Sequence, residues 1–478
     1  MKEMTLAQLA VWVSGIVAPD HADIRVQNVC TNSKQVKPGD LFIPLVGERF
    51  DAHQFIPEAM ERGAAAVLTA RSLPPEIPAI RVEDTLEAFS AMAKAYRQTL
   101  SATFTAITGS VGKTTTKEML AGILEQRYRT AKTSGNYNNQ IGLPITMMSI
   151  PEDAEMAVVE LGMSHFGEMS HLTDITRPDT VVITNIGTMH IEHLGSREGI
   201  LQAKLEIMEG VSQQGCAVFN GDEPLLWNLK GRTRCKTLYF GMKNAENDVK
   251  ALNLHQEDDG VSFLAEGLGV QFEVYLPVKG EHNVYNALAA ITVALHEDVK
   301  PEHIQWALAR FQNTGMRQKT YEENGFTIIE DCYNAGPEST EAALTVLGDT
   351  RTEGKKIAVL GDMLELGHRS NAEHFRIGRI AAQKADLLLA CGRLAYRYVD
   401  GAITGGMSQR DAMHFDTHEE LVNALKSRAK PGDVLLFKGS RGMRMERALA
   451  LFMDRDPDVP PEQTPVDAVP PEQRTSGS

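Results

Sequence analysis

Hydrophobic and polar positions along the chain alternate in two rhythms. From Thr103 onward, short unbroken apolar runs (Thr103 to Ile107, Ala157 to Val159 closed by Glu160, Val181 to Thr184 closed by Asn185) are separated by longer segments such as Thr114 to Gln126 and Arg197 to Glu209, which read as helices. Unbroken runs of that length read as strands covered on both faces. Their alternation with helical segments predicts a mainly parallel sheet with helices on both sides. A second alternation begins after Gln312 and places strands at Lys356 to Leu360, Asp386 to Ala390 and Val434 to Lys438, which predicts a doubly wound, Rossmann-like domain. Ahead of both, residues 1 to 98 mix short runs (Ala64 to Leu68) with turn chemistry (Lys37-Pro-Gly-Asp40). They close on a helix with Phe89, Ala93, Tyr96 and Leu100 along one face. Leu6, Leu9, Val13 and Val17 recur at helical spacing and predict an amphipathic first helix. The expected class is α/β with three domains: a small α/β unit over 1–98, a central domain over 99–312 and the doubly wound domain over 313–455.

Composition changes this picture in three places. The 478 residues exceed what one hydrophobic core supports, in line with several domains. A formal net charge of -15 argues against a broad nucleic-acid surface while leaving room for local basic sites that hold small anions. Residues 456–478 contain six of the 21 prolines and repeat Val-Pro-Pro-Glu-Gln at Val459 and Val469, a composition that cannot bury a core and predicts a disordered tail. The five cysteines (Cys30, Cys216, Cys235, Cys332, Cys391) are scattered and never form C-x-x-C, so reduced thiols in a cytoplasm are expected. No run of about 18 apolar residues occurs, and no membrane span is expected.

The sharpest chemical signal lies between the strand Thr103 to Ile107 and the following helix. Gly109, Ser110, Val111, Gly112, Lys113, Thr114 and Thr115 form a glycine-rich turn at a helix N-terminus, where successive backbone N–H groups attract phosphate oxygens. Lys113 reaches the outer phosphates and the Thr114 hydroxyl suits Mg2+, so Mg-ATP is the expected ligand. Ile107 stands where the commonest form of this loop has a glycine. In open α/β sheets, ligands collect beyond the carboxyl ends of the strands, which singles out Glu160, Asn185 and, in the next loop, His190. Thr114, Glu160 and His190 are expected to share a divalent metal. Taken singly, each is as readily a capping or solvated residue.

These motifs, together with Gly135 to Pro144, Gly280 to Ala289, Asp331 to Ala335, Leu360 to Gly367 and Lys438 to Glu446, occur in an order that resembles the Mur ligases over nearly the whole chain. The resemblance implies an ATP-dependent, amide-bond-forming enzyme of bacterial peptidoglycan synthesis. It would join D-alanyl-D-alanine to UDP-N-acetylmuramoyl-tripeptide through an acyl phosphate, acting as a cytoplasmic monomer.

By the same resemblance Lys204 is carbamylated and becomes an anionic ligand for a second Mg2+. Lys113, Lys204, His190 and Glu160 form the catalytic set, and Thr114, Glu160, His190 and Lys204 the metal set. Asn283 and Asn286 lie near the adenine, and Arg317 reaches the nucleotide phosphates. Ser33, Lys34, Asp51 and His53 belong to the uridine substrate's site in the first domain. Asp331, Asn334, Lys438, Ser440 and Arg441 belong to substrate binding in the third, where the dipeptide enters, and the substrates would meet when the domains close. The pattern is departed from at Asn32-Ser33-Lys34, where Asp-Ser-Arg is usual and a lysine cannot form a two-pronged contact. It is departed from again at Asp51-Ala52-His53 in place of Asp-Gly-His, at Glu330 in place of aspartate, and at Gly336 in place of asparagine.

An amino-acid-adding ligase of the same family is the alternative, disfavoured because the tetrapeptide Asp-Asn-Pro-Arg is missing from the third domain. A folate-polyglutamylating ligase is disfavoured by the uridine-type N-terminal residues. A nucleotide-regulated binding module would need neither Lys204 nor His190.

Overall fold

The computed structural model describes residues 1–47, 50–313 and 315–458. Two compact units result: Met1–Gln312 together with Glu365–His368, and a second made of Asn313–Leu364 with the described residues from Arg369 on.

The first unit contains a five-stranded sheet in the order Ile16–Val17, Ala79–Arg81, Ala66–Thr69, Asp40–Phe42, Asn28–Cys30, parallel except for its first pair. The helix expected from Leu6 to Val17 is shorter than the pattern suggested. It spans Leu6–Trp12 and is capped by a reciprocal Thr5–Gln8 box. It ends because Ser14 turns left-handed (φ 50°), and Ile16–Val17 is then a strand. Val13 and Val17 are both apolar, yet they belong to different elements. The helix Thr85–Thr99 starts on Asp84, whose carboxylate accepts from the Leu86 and Glu87 amides. Its buried face packs on the central domain, where the Tyr96 hydroxyl donates to Ile150 O (2.7 Å), Arg97 Nε donates to Thr176 O (2.7 Å) and the Arg97 guanidinium lies 3.8 Å from the Phe104 ring centroid. One apolar core accordingly runs from Leu6, Leu9 and Phe89 through Phe104 and Val159 to Phe219.

The central sheet has nine strands in the order Val270–Leu276, Val261–Gly267, Val249–Gln256, Lys236–Gly241, Cys216–Asn220, Thr180–Ile183, Thr103–Thr108, Met156–Glu160, Thr130–Lys132. From Thr130–Lys132 to Val249–Gln256 every pairing is parallel. The strands are covered on both faces, as their unbroken apolar runs predict. Phe104, Ala106, Val159 and Val181 enter the core just described, while Ile107, Val158 and Val182 enter a second core under the helices Lys113–Leu124 and Glu281–His296. The last two strands form an antiparallel meander on Val249–Gln256, with one face buried in period-two alternation. Arg197 to Glu209 divides into a helix, Arg197–Leu205, and a 3-10 turn, Glu206–Gly210.

The second unit is a six-stranded sheet in the order Lys319–Glu323, Phe326–Asp331, Val434–Lys438, Lys356–Gly361, Leu387–Cys391, Ala412–Phe415. Only the first pair is antiparallel. The chain steps outward from Lys356–Gly361 to Ala412–Phe415, and its last strand then inserts beside Phe326–Asp331. That reversal places a crevice at the carboxyl ends of three neighbouring strands. The three strands read from the pattern are all present, whereas the opening hairpin and Ala412–Phe415 were not read from it. Of the expected tail, residues 459–478 lie outside the described residues. All five cysteines are free, and no helix among the described residues is long and apolar enough to cross a membrane.

Candidate functional site: the phosphate loop and its surroundings

Beyond Thr108 the chain turns through Gly109 (φ 150°) and Gly112 (φ 87°) into the helix Lys113–Leu124. Neither glycine has room for a side chain: a Cβ would fall 1.9 Å from Thr184 Oγ1 at Gly109 and 2.2 Å from Asn286 Oδ1 at Gly112. The loop is held from the neighbouring strand's end. The Asn185 side chain accepts from Val111 N (3.0 Å) and donates to Val111 O (2.9 Å), and Thr184 Oγ1 also donates to Val111 O (2.6 Å). Ser110 Oγ accepts from Gly187 N at 2.9 Å. With its conformation fixed in this way, the loop leaves a left-handed turn and a helix N-terminus facing one region, the arrangement that binds phosphate oxygens. Lys113 Nζ donates to Gly109 O at 2.7 Å across the loop, and Thr115 follows on the first helical turn.

Two of the expected metal ligands meet directly. Thr114 Oγ1 donates to Glu160 Oε2 at 2.6 Å, and Glu160 Oε1 accepts from Asn138 Nδ2 at 2.7 Å. Glu160 is almost fully buried at the carboxyl end of its strand. A hydroxyl and a carboxylate beside a phosphate loop are hard oxygen donors of the kind Mg2+ takes, usually one or two carboxylates with the substrate's phosphates completing the shell. No group of three or more His, Cys, Asp or Glu side chains with metal-holding geometry occurs among the described residues. His190 has a left-handed backbone (φ 62°), and its Nδ1 lies 2.5 Å from Glu365 Oε2. This contact holds the Glu365 carboxyl below its usual range.

Lys204 is only 3% exposed on the helix Arg197–Leu205. Burial, with the Lys113 charge nearby, drives its pKa well below the ordinary lysine range and so favours the neutral amine. A buried amine held toward its neutral form has nucleophilic character. The burial of Lys204 departs from the solvated helix lysine that its neighbours Gln202 and Glu206 suggest.

Asn283 and Asn286 are buried on the helix Glu281–His296. Asn283 Nδ2 donates to Lys279 O (2.8 Å), and Asn286 Oδ1 accepts from Thr116 Oγ1 (3.3 Å) against Gly112. In the small sheet, Ser33 Oγ donates to Glu58 (2.8 Å) and Lys34 is exposed. Asp51 pairs with Arg71 and with His53 Nδ1 (2.6 Å), while His53 Nε2 accepts from Ala70 N (3.3 Å). Both His53 ring nitrogens are therefore used internally, which makes it a support for Asp51. The His53 amide and side chain hold the Asp51 carboxyl below its usual range.

In the second unit the crevice rim is internally bonded. Lys438 Nζ, 2% exposed, donates to Asp331 Oδ2 (2.6 Å) and Asn334 O (2.9 Å). Ser440 Oγ donates to Ala335 O (3.0 Å) and accepts from Leu364 N (2.9 Å). Arg441 pairs with Glu446 (2.9 Å), and the Arg317 guanidinium stacks 3.9 Å from the Tyr333 ring centroid.

Sequence reasoning gave no role to Thr184 or Asn138. Asn138 was open to detection, since it lies inside the motif Gly135 to Pro144. Thr184 depends on which strand ends become neighbours.

Family profiles match three consecutive stretches: "Mur ligase family, catalytic domain" at 25–97, "Mur ligase middle domain" at 107–294 and "Mur ligase, glutamate ligase domain" at 316–441. The UDP-N-acetylmuramoyl-tripeptide–D-alanyl-D-alanine ligase of Bacillus subtilis is 41% identical over 452 residues, 93% of this chain and 97% of that protein. The Escherichia coli enzyme of the same name is 35% identical, covering 95% and 99%. Among solved structures, MurF from Acinetobacter baumannii superposes with a TM-score of 0.87 at 32% identity over 95% of this chain and all of that one. MurF from Thermotoga maritima in complex with ADP gives 0.78 at 31% identity over 90% and 97%.

Proposed function

The chain belongs to the Mur ligase family, and we propose that it is the member that joins D-alanyl-D-alanine to UDP-N-acetylmuramoyl-tripeptide at the expense of ATP. The observation that carries this reading is the near-complete coverage, at up to 41% identity, by relatives bearing that name, together with a phosphate loop built as an ATP site.

A carboxylate is a poor electrophile at neutral pH, so the tripeptide carboxylate attacks the γ-phosphorus of ATP and ADP leaves. The resulting acyl phosphate then accepts the dipeptide's amine, and the tetrahedral adduct collapses to amide and inorganic phosphate. In this scheme the loop amides and Lys113 hold the transferred phosphoryl group and offset the charge that develops on it. Asn283 and Asn286 line the nucleotide's side of the loop, and Arg317 supplies a planar cation to the phosphates. Thr114 and Glu160 would hold Mg2+, which neutralises phosphate charge when bound. The Lys204 amine would add CO2, losing a proton, to give an anionic carbamate that supplies oxygen to the same region, with His190 completing the set. In the substrate sites, Ser33, Lys34 and Asp51 would meet the uridine diphosphate, while Asp331, Asn334, Lys438, Ser440 and Arg441 shape the dipeptide's entry. A cytoplasmic monomer is the form proposed.

Phosphate release with ATP, Mg2+ and the uridine tripeptide tests this reading when D-alanyl-D-alanine is compared with single amino acids. Release with the dipeptide alone is expected. Release with a lone amino acid on the dipeptide precursor, and none with D-alanyl-D-alanine, would point instead to the amino-acid-adding alternative.

A further inference from the structure

The mechanism above leaves one buried cation without a task. Lys117 lies one helical turn beyond Lys113 on the helix that the phosphate loop opens, and it is wholly buried. Its Nζ donates to Thr133 O at 2.7 Å and pairs with Glu118 at 2.8 Å; the other Glu118 oxygen pairs with Lys132 at 2.7 Å.

Thr133 occupies a particular position in the sheet. It is the residue just past the edge strand Thr130–Lys132, whose backbone ladder with Met156–Glu160 ends at Lys132 opposite Val158. One further backbone bond, Thr133 N to Val158 O (3.1 Å), completes that ladder. Beyond it the Glu160 amide would have no strand to bond to on this side. The Thr133 hydroxyl accepts from it instead, at 3.0 Å, inside a buried environment where an unmet N–H is costly. A continuous set of contacts therefore runs from the Lys117 ammonium through Thr133 to the backbone of Glu160, whose two carboxylate oxygens are taken by Thr114 and Asn138.

We propose that Lys117 is a positioning residue for the Glu160 carboxylate: by holding the Thr133 carbonyl at the frayed end of the edge strand, it keeps the Thr133 hydroxyl on the Glu160 amide and so fixes the carboxylate that faces divalent metal. This role rests on the reading of Thr114 and Glu160 as the metal-binding pair. Lys117 touches no reacting atom. Without it the Thr133 carbonyl is buried and unbonded, the strand end is free to shift, and Glu160 loses one of the bonds that orient it. Groups that orient a metal ligand in this manner change metal affinity by about 10–100-fold when removed.

The experiment uses full-length protein saturated with ATP analogue, with Mn2+ as the probe, followed by electron paramagnetic resonance. Amide exchange at Glu160 is measured in parallel on the metal-free protein. Lys117→Met keeps the volume and removes the ammonium; Thr133→Val keeps the carbonyl and removes the hydroxyl. Each is expected to weaken Mn2+ binding about tenfold and to raise Glu160 exchange, while the KM for the uridine substrate stays within about twofold. The double variant should be no worse than the poorer single one, because both interrupt one path.

Wild-type Mn2+ affinity in Lys117→Met overturns the proposal, as do effects that add in the double variant. A uniform loss of metal affinity, uridine-substrate binding and exchange protection along the whole helix also overturns it, since that marks a purely structural lysine. Should Lys117→Met not fold, Thr133→Val alone decides by the same measurements. If wild-type protein binds no Mn2+ with nucleotide, the metal reading itself falls and the proposal with it. If wild type binds and both variants match it, only the positioning role is lost.

Discussion

The phosphate-loop rim of the first unit and the strand-end rim of the second are both built from buried polar residues, but they treat buried charge in opposite ways. In the first, Lys204 is 3% exposed with its pKa driven down by burial, and two glycines hold conformations that leave the loop open to a ligand. In the second, Lys438 is 2% exposed and bonded to Asp331 and Asn334, and Ser440 bridges Ala335 to Leu364. Desolvation drives a buried amine such as Lys204 toward its neutral form. A paired one is a fastening. The second rim is therefore fastened by its own side chains, while the first keeps an open loop between its glycines. Substitutions in the first should act mainly on turnover, while those in the second should lower stability as well as disturb the dipeptide's entry.

The largest expected effect is at Lys204. Lys204→Ala should lower kcat by about 10²–10³-fold, with partial recovery on adding short carboxylic acids that stand in for the carbamate. Lys204→Met, which keeps the volume, should melt no lower than wild type. Undiminished kcat in the alanine variant would remove Lys204 from the chemistry, and a loss that acids do not restore would count against its carbamylation. The next effect is at Lys438. Lys438→Met strands the Asp331 carboxylate and should cost about 3 kcal/mol of folding stability in urea titration. Lys438→Met with Asp331→Asn should recover much of that loss, since no charge is then left unpaired. A stability loss in Lys204→Met equal to that in Lys438→Met would end the distinction between the rims.

Gly112→Ala comes third. At φ 87° an L side chain is strained by about 1–2 kcal/mol, and its Cβ would fall on Asn286 Oδ1. Calorimetry should show ATP binding about tenfold weaker, with the melting temperature lowered only slightly. Unchanged ATP affinity would mean that the loop accepts other conformations when nucleotide binds.

Much of this was legible in the sequence because the physics that sets it is local. Unbroken runs such as Val181 to Thr184 can only be strands covered on both faces, and the glycines and Lys113 announce the phosphate loop by spacing. The meander over Val249 to Leu276 was legible in principle, since Val261, Phe263 and Ala265 alternate with half-exposed residues. The first helix was over-read because periodicity alone does not register the left-handed turn at Ser14. Least legible were properties set by tertiary neighbours. Gln202 and Glu206 make Lys204 look solvated, and His53 shows that its ring supports Asp51 only once Ala70 is seen against it. The Thr133–Glu160 contact spans 27 residues and exists only because the edge strand stops at Lys132.

The smallest expected effect sharpens the second rim's character through pH. His374 is wholly buried: its Nε2 accepts from Met363 N (3.0 Å), which requires the proton on Nδ1, donated to Ser370 O (2.7 Å). Its ring packs on Tyr398, and the acidic groups near it are Asp362, 3.9 Å away, and Glu373. Burial outweighs those carboxylates and lowers its pKa below the ordinary value of 6.5. The unfolded chain therefore binds a proton at His374 before the folded one does. Its contribution to stability is complete above about pH 6.5, is lost as pH falls through that value toward the folded pKa, and levels off below it. Asp362 opposes this, because burial raises its carboxyl above 3.8 and its protonation then favours the folded state. His374→Gln offers an acceptor to Met363 N without titrating, so the variant should be destabilised by about 1 kcal/mol at pH 8. It should also lose part of the wild-type fall in melting temperature between pH 7 and pH 5. Identical slopes in the two proteins would show that His374 is charged in the fold, and the Met363 amide would then need another acceptor.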